Sequence, residues 1–317
     1  MLVCAGYDRH HNCSDICEHC PAKTSGCTDY ADLRATASYS RVVFDHTCYL
    51  HNVPVREQSP WCTIPGWDIR LHRDCMQHVL YNGGVASDFT AGAFKFCIMS
   101  GLYGQGTLEQ QVQGLHGTFV VSHSGSIDGH DAKPFTARRL GISTETSHPC
   151  FGLSYKHGHI KAFVHFCAEQ CALIQPQTPV SQLIYKAAAA FSSWIRFLEN
   201  CKPVLQNWQR EFAYQKGREF LDPYSILIAL DRHDRTLPNY RPLFRARPKV
   251  HVLWHQIEHL KSSSCNILLN WSCWQEEDFM GRVARIFKRT HPRTGALRTL
   301  QKYLLFLHAD LLADSAR

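Results

Sequence analysis

The sequence predicts an α+β protein that is mostly α. It reads as a small Cys/His-rich N-terminal region over residues 1–60, a partial α/β core over 61–150, and a helical domain over 151–317 that ends in basic helices. Three observations carry this. Cysteines and histidines crowd the first thirty residues. Trp67, Ile69 and Leu71 alternate with polar Asp68, Arg70 and His72, the period of a half-buried strand. From His159 onward apolar residues recur three and four apart, the period of a helix.

The N-terminal region places Cys13, Cys17, Cys20 and Cys27 close together, with His10, His11 and His19 among them. A C-x-x-C turn presents two thiolates to one ion, and zinc takes four such ligands in a tetrahedron. Cys17 and Cys20 have that spacing, so the remaining ligands are expected from Cys13, Cys27 or a histidine. The competing reading is a set of reduced thiols without metal. Fifteen cysteines in one chain, with no signal-peptide pattern at the start, point to thiols rather than a disulfide framework. An intracellular, non-secreted protein is expected, and no apolar run reaches membrane-spanning length.

In the middle segment Pro65-Gly66 is a turn, and residues 67–71 are the expected strand. Asp74 follows at the strand's end beside Cys75 and His78, a place for a metal ligand or a catalytic carboxylate; a capping or ion-paired Asp is the plainer alternative. Residues 86–99 are apolar enough for a buried helix. Residues 100–150 show no clear period and read as a long connection with short strands, where the domain boundary is expected. Helices are then expected over 160–174, 180–200 and 204–230, punctuated by Pro176, Pro179, Pro203 and Pro223. Trp194, Phe197, Trp208 and Phe212 read as packing between these helices.

The charge is uneven. Net charge is +7, yet residues 202–317 carry 19 Lys and Arg against 11 Asp and Glu, a net of +8, while residues 1–201 come to −1. A polyanionic partner for the C-terminal part, or a solvated basic face, would account for this. Within it, Arg245, Arg247 and Lys249 lie in a Pro-broken loop that could track a phosphate backbone. His251, His255 and His259 follow at i, i+4 and i+8 on one helix face. Two such histidines can bind a metal, but no Glu follows the first as in a metalloprotease helix, so they read as a polar face. Glu276, Glu277 and Asp278 then head a helix carrying Arg282, Arg285, Lys288 and Arg289, with Arg293 beyond; acids in a first turn complement the helix dipole without further function. Leu297, Leu300, Leu304 and Leu307 mark a last helix with an expected core face.

Several phrases taken in order carry a resemblance: CEHCPAK (17–23), SPWCTIPGW (59–67), HRDCMQHVLYNGG with SDF (72–89), KPFTARRLGI (133–142), RPKVHVLWH (247–255), CWQEEDFMGRVARIFKRTHPRT (273–294) and LRTLQKYL (297–304). The chain resembles the transposase-like reading frames abundant in dinoflagellate genomes, whose layout is similar to the catalytic region of CACTA- and Plavaka-type DNA transposases. The resemblance implies a ribonuclease H-like core in which carboxylates clamp two Mg²⁺ ions for phosphodiester cleavage and strand transfer. It places that family's acidic motifs on Asp74 and on Glu277 and Asp278, and its zinc-like insertion on Cys17 and Cys20. It further implies DNA as partner, held by Arg282, Arg285, Lys288, Arg289, Arg293, Arg245, Arg247 and Lys249, and a nuclear location. The chain begins almost at the cysteines, where such a core needs an upstream acidic strand. Gln77 stands where the family has His, and Gly83-Gly84 reads as an insertion. A truncated copy is therefore expected, and the alternative function is a non-catalytic, zinc-stabilised nucleic-acid-binding or interaction protein.

Overall fold

The structure, a computed structural model, describes residues 17, 19–41, 45–52, 60–68, 74–123, 132–143, 147–152, 154–174, 178–234, 241–273, 283–288, 294–295 and 297–305. The chain divides into two compact units, Met1–Trp271 and Ser272–Arg317. The first contains α1 His46–Asn52, α2 Met76–Leu80, α3 Val85–Met99, α4 Leu108–Ser122, α5 His157–Leu173, α6 Pro179–Asn200, α7 Asn207–Asp234, α8 Pro248–His259 and α9 Ile267–Asn270.

Among the described residues there is no strand, only the isolated bridges Lys23↔Asp29 and Val204↔Cys265. The protein is mainly α, and the expected ribonuclease H-like α/β core gains no support. Trp67 and Asp68 have no regular structure, and the rest of the expected strand, 69–73, lies outside the described residues. The expected boundary near residue 150 is crossed by packing: α3 lies against α5 and α6 as well as α2, α4 and α8.

Helix α3 is the hub. Thirteen of its fifteen residues are buried, from Val85 to Ile98, so it has no solvent face and its apolar pattern shows no helical period. Two of its three phenylalanines, Phe89 and Phe94, seed two aromatic clusters. Phe89 meets Phe191, Phe220, Tyr224 and Phe244, and Phe191 stacks on Phe220 at 4.0 Å. Phe94 meets Phe135, Phe151 and Phe166. Such rings remove large apolar areas from water, about 1.5–3 kcal/mol per fully buried side chain.

The ends of the helices are set locally. Thr107 caps α4 by accepting from the Gln110 amide, and Gln110 returns the favour to the Thr107 backbone. Thr178 caps α6, with Pro179 at the first helical position, and Asn266 accepts from the Leu268 and Leu269 amides to start α9. Pro248 occupies the same early position in α8. Helix α4 falls inside the stretch expected as loops. Only Val112, Leu115 and Phe119 of its residues are buried, and Gly114 and Gly117 dilute the pattern; the capping pair Thr107 and Gln110 was the legible signal. Pro223 does not end α7, which runs through it for 28 residues. A mid-helix proline forfeits one hydrogen bond, but α7 packs extensively on α6, with Phe220 on Phe191 and Phe212 on Phe197, and stays helical.

Gly92 permits the closest approach in the hub. A Cβ there would sit 2.3 Å from the Leu243 carbonyl oxygen and 2.9 Å from the Phe244 ring. Gly92→Ala is therefore expected to destabilise the protein by about 2–3 kcal/mol through overpacking, seen as a lowered urea midpoint with an unchanged slope. A loss under about 0.5 kcal/mol would show that 243–244 moves freely.

Of the helical aromatics, Trp194 is buried, and Phe197 packs on Phe212 at 4.5 Å and on Trp208 at 6.1 Å, as expected. In the second unit, residues 283–287 and 297–305 are helical. Leu297, Leu300 and Leu304, expected as core, are exposed (60%, 56% and 54%), whereas Thr299 is buried. Leu307 lies outside the described residues. No described helix is long and apolar enough to cross a membrane.

Candidate metal centre

Cys17, Cys20, His251 and His255 bring four donor atoms within 4.8 Å of one another. His255 Nε2 lies 3.2 Å from Cys17 Sγ, 3.3 Å from Cys20 Sγ and 3.1 Å from His251 Nε2. Cys20 Sγ lies 3.3 Å from His251 Nε2. A tetrahedral zinc site with its usual bond lengths separates sulfur from nitrogen by about 3.5 Å and nitrogen from nitrogen by about 3.3 Å. The four donors thus already enclose a space of that size, a few tenths of an ångström contracted.

Each half comes from a local rule. The C-x-x-C turn sets two sulfurs side by side, and the His19 amide donates to Cys17 Sγ at 3.3 Å. Four-residue spacing on α8 puts both imidazoles on one face. Ligation through Nε2 requires the proton on Nδ1. His251 Nδ1 is buried without a hydrogen-bond partner, and the Tyr39 ring lies edge-to-face against that imidazole at 4.7 Å. Burial pushes the His255 imidazole below its ordinary pKa, with the Cys17 thiol opposing. The neutral imidazole so favoured is the metal-binding form.

The segment bearing the thiols is held, apart from this cluster, by side-chain packing and polar anchors rather than by regular structure. Residues 19–37 include no helix or strand, only the Lys23↔Asp29 bridge. Its polar anchors are spread along one face of α7. Arg218 donates to the Leu33 carbonyl, Ser225 Oγ accepts from the Leu33 amide, and Arg232 pairs with Asp29 at 2.6 Å. Tyr30 adds a bond to the Ala246 carbonyl, and Tyr39 also packs on Trp254. Ordering a residue costs about 1–2 kcal/mol, and a polar anchor returns about 1 kcal/mol. A metal held by the four donors would add a stronger fastening to a segment without regular structure.

Two of the four expected zinc ligands, Cys17 and Cys20, belong to the group. Cys27 does not; it is exposed, and its carbonyl accepts from Ser38. Cys13 lies outside the described residues. His251 and His255, read from sequence as a polar face, complete the set instead, while His259 packs on Trp271 at 5.0 Å. Cys-x₂-Cys with His-x₃-His is a zinc-ligand spacing, but more than 230 residues separate the halves, so no local reading joins them.

Asp74, expected to hold Mg²⁺, sits beside this centre. Its carboxylate is 3.8 Å from His19 Nε2, and its carbonyl accepts from Gln256, the neighbour of His255. Glu277 and Asp278 lie outside the described residues. Among the described residues no candidate metal group includes a carboxylate, so Mg²⁺ gains no support.

Arg245 and Arg247, in the loop before α8, and Lys249, in the first turn of α8, are engaged by the fold itself. Arg247 clamps Asp88 through Nε and Nη2, both at 2.5 Å, and Arg245 reaches the same carboxylate at 3.4 Å. Lys249 donates to the Asn82 carbonyl at 2.7 Å. Asp88 is buried near the start of α3, so these cations serve the fold's own charge. Arg285 and Lys288 are exposed on the second unit, and Arg282, Arg289 and Arg293 lie outside the described residues.

No protein-family model, no curated protein and no solved structure matches the chain.

Proposed function

We propose that the chain is a non-catalytic, zinc-stabilised helical protein whose Cys₂His₂ centre fastens the N-terminal segment to α8. The carrying observation is the convergence of Cys17, Cys20, His251 and His255 from opposite ends of the first unit. Two thiolates and two neutral imidazoles with all four positions filled by protein make a closed, structural site rather than one open to substrate. Metal binding then acts as folding free energy.

On this reading the transposase-like resemblance describes ancestry, and DNA remains the partner in keeping with it. The support is the second unit, where Arg282 to Lys302 includes no acid and Arg285, Lys288, Arg298 and Lys302 are exposed. A nuclear location would follow.

The test has two arms. The purified chain should carry about one zinc, replaceable by Co²⁺ with a tetrahedral thiolate spectrum; a metal-free chain that takes up no Co²⁺ would end the proposal. Duplex DNA should bind with an affinity that falls steeply with salt and is not cleaved with Mg²⁺. Cleavage lost in Asp74→Asn would restore the enzyme, and failure to bind at low salt would leave a zinc-stabilised helical protein without a nucleic-acid role.

A further inference from the structure

Resting on the zinc reading, we propose that the centre is a peroxide-sensitive latch: oxidation of Cys17 and Cys20 to a disulfide expels the metal and frees residues 19–41 from α7 and α8. The partition of ligands carries this. Both thiolates stand on the N-terminal segment, and both imidazoles stand on α8. Joining the two sulfurs therefore removes the whole of one element's share of the coordination in a single reaction and leaves the other element intact. The sulfurs already lie within 4.8 Å of each other across a C-x-x-C spacing that belongs to no helix, so the bond needs side-chain rotation and no helix movement. His255 is half-buried, whereas the other three ligands are buried, which leaves a small oxidant its approach on that side.

The chemistry balances with a peroxide as oxidant. One thiolate attacks a peroxide oxygen; the S–O bond forms, the O–O bond breaks, and water leaves after protonation. The second thiolate attacks the sulfenic sulfur; the S–S bond forms, the S–O bond breaks, and a second water leaves with the second solvent proton. Two electrons pass from the thiolates to the peroxide, and Zn²⁺ departs as its hydrated ion. Once the metal is gone, the N-terminal segment keeps its polar anchors and the packing of Ala22, Ala31, Leu33, Ala37 and Tyr39, without its bond to α8 through the ligands. What its departure uncovers is specific: Arg218, Ser225 and Arg232, seven residues apart along α7, and the Tyr39-covered face of His251 and Trp254 on α8.

The experiment treats the zinc-loaded full chain with hydrogen peroxide. It follows zinc release with a chromogenic chelator, disulfides by peptide mass mapping, and tryptic cleavage after Lys23 and Arg34. The expected result is release of about one equivalent of zinc, a Cys17–Cys20 disulfide, and cleavage at those two sites faster by about tenfold or more, all reversed by dithiothreitol with added zinc. C20H retains four ligands but has no thiol partner; it should bind zinc, keep it in peroxide and stay protected. A zinc-loaded chain that retains its metal while exposed Cys27 oxidises would overturn the latch. So would release without the disulfide, or release from C20H at the natural rate. A chain that holds no zinc before peroxide is added instead defeats the metal reading beneath it.

Discussion

His251→Ala is expected to lose stoichiometric zinc and, with it, the docked N-terminal segment. The imidazole is almost wholly buried, and its Nε2 is one of four converging donors. Apparent zinc binding in small zinc domains contributes about 10–16 kcal/mol. A three-ligand remnant that must admit water into a buried site should bind at least a thousandfold more weakly, about 4 kcal/mol. Competition against a chelator of known affinity measures this directly. Urea unfolding of the natural chain with and without zinc should differ by a similar amount, and the variant should show no such difference. The packing loss of the substitution is separated by His259→Ala, which alters the same helix outside the quartet and should leave zinc affinity unchanged. Equal zinc affinity in His251→Ala and the natural chain would remove His251 from the site and return the choice to Cys13 or Cys27.

Asp88→Ala should be the most damaging single change away from the metal, at about 3 kcal/mol. Asp88 is buried near the start of α3, where the helix dipole also favours its charge. Arg247 meets it with two bonds and Arg245 with a third contact. Burial works against the Arg247 charge, but Asp88 outweighs it and holds the guanidinium above its ordinary pKa. Removing the carboxylate leaves two partly buried cations without their counter-charge, beside Lys249, whose pKa burial and Arg247 already lower. Breaking such a pair costs more than the pair contributes. A double-mutant cycle with Arg247→Ala should recover part of the loss, because the stranded charge goes with it. Denaturation midpoints read both values. An Asp88→Ala protein as stable as the natural one would mean that these arginines are satisfied by solvent, and would make them available to phosphate after all.

That pair shows where sequence reading loses its grip. Arg245, Arg247 and Lys249 look like a phosphate-tracking run because the acid that pairs with the two arginines and the carbonyl that takes Lys249 are about 160 residues away. The same distance problem hid the metal centre. Cys17 and Cys20 are legible as a ligand pair, and His251 and His255 as a helix face, but nothing local assigns one to the other. The α/β expectation failed for a different reason. It rested on the alternation over 67–71 and on residues 100–150 read as a connection with short strands; Trp67 and Asp68 have no regular structure, and the second stretch contains α4, whose three buried residues and two glycines leave only a weak helical period.

Patterns that depend on neighbours in the chain were readable without coordinates: the helices from His157 to Asp234, the aromatic packing between them, the cysteine pair, and the excess of positive charge after residue 202. These follow from periodicity, backbone stereochemistry and side-chain type, which act over a few residues. Ligand completion and counter-ion choice had to wait for the folded chain, because each is a matter of which distant side chains share a low-dielectric space. A thiolate, an imidazole or a guanidinium has no fixed role until that space supplies its partner.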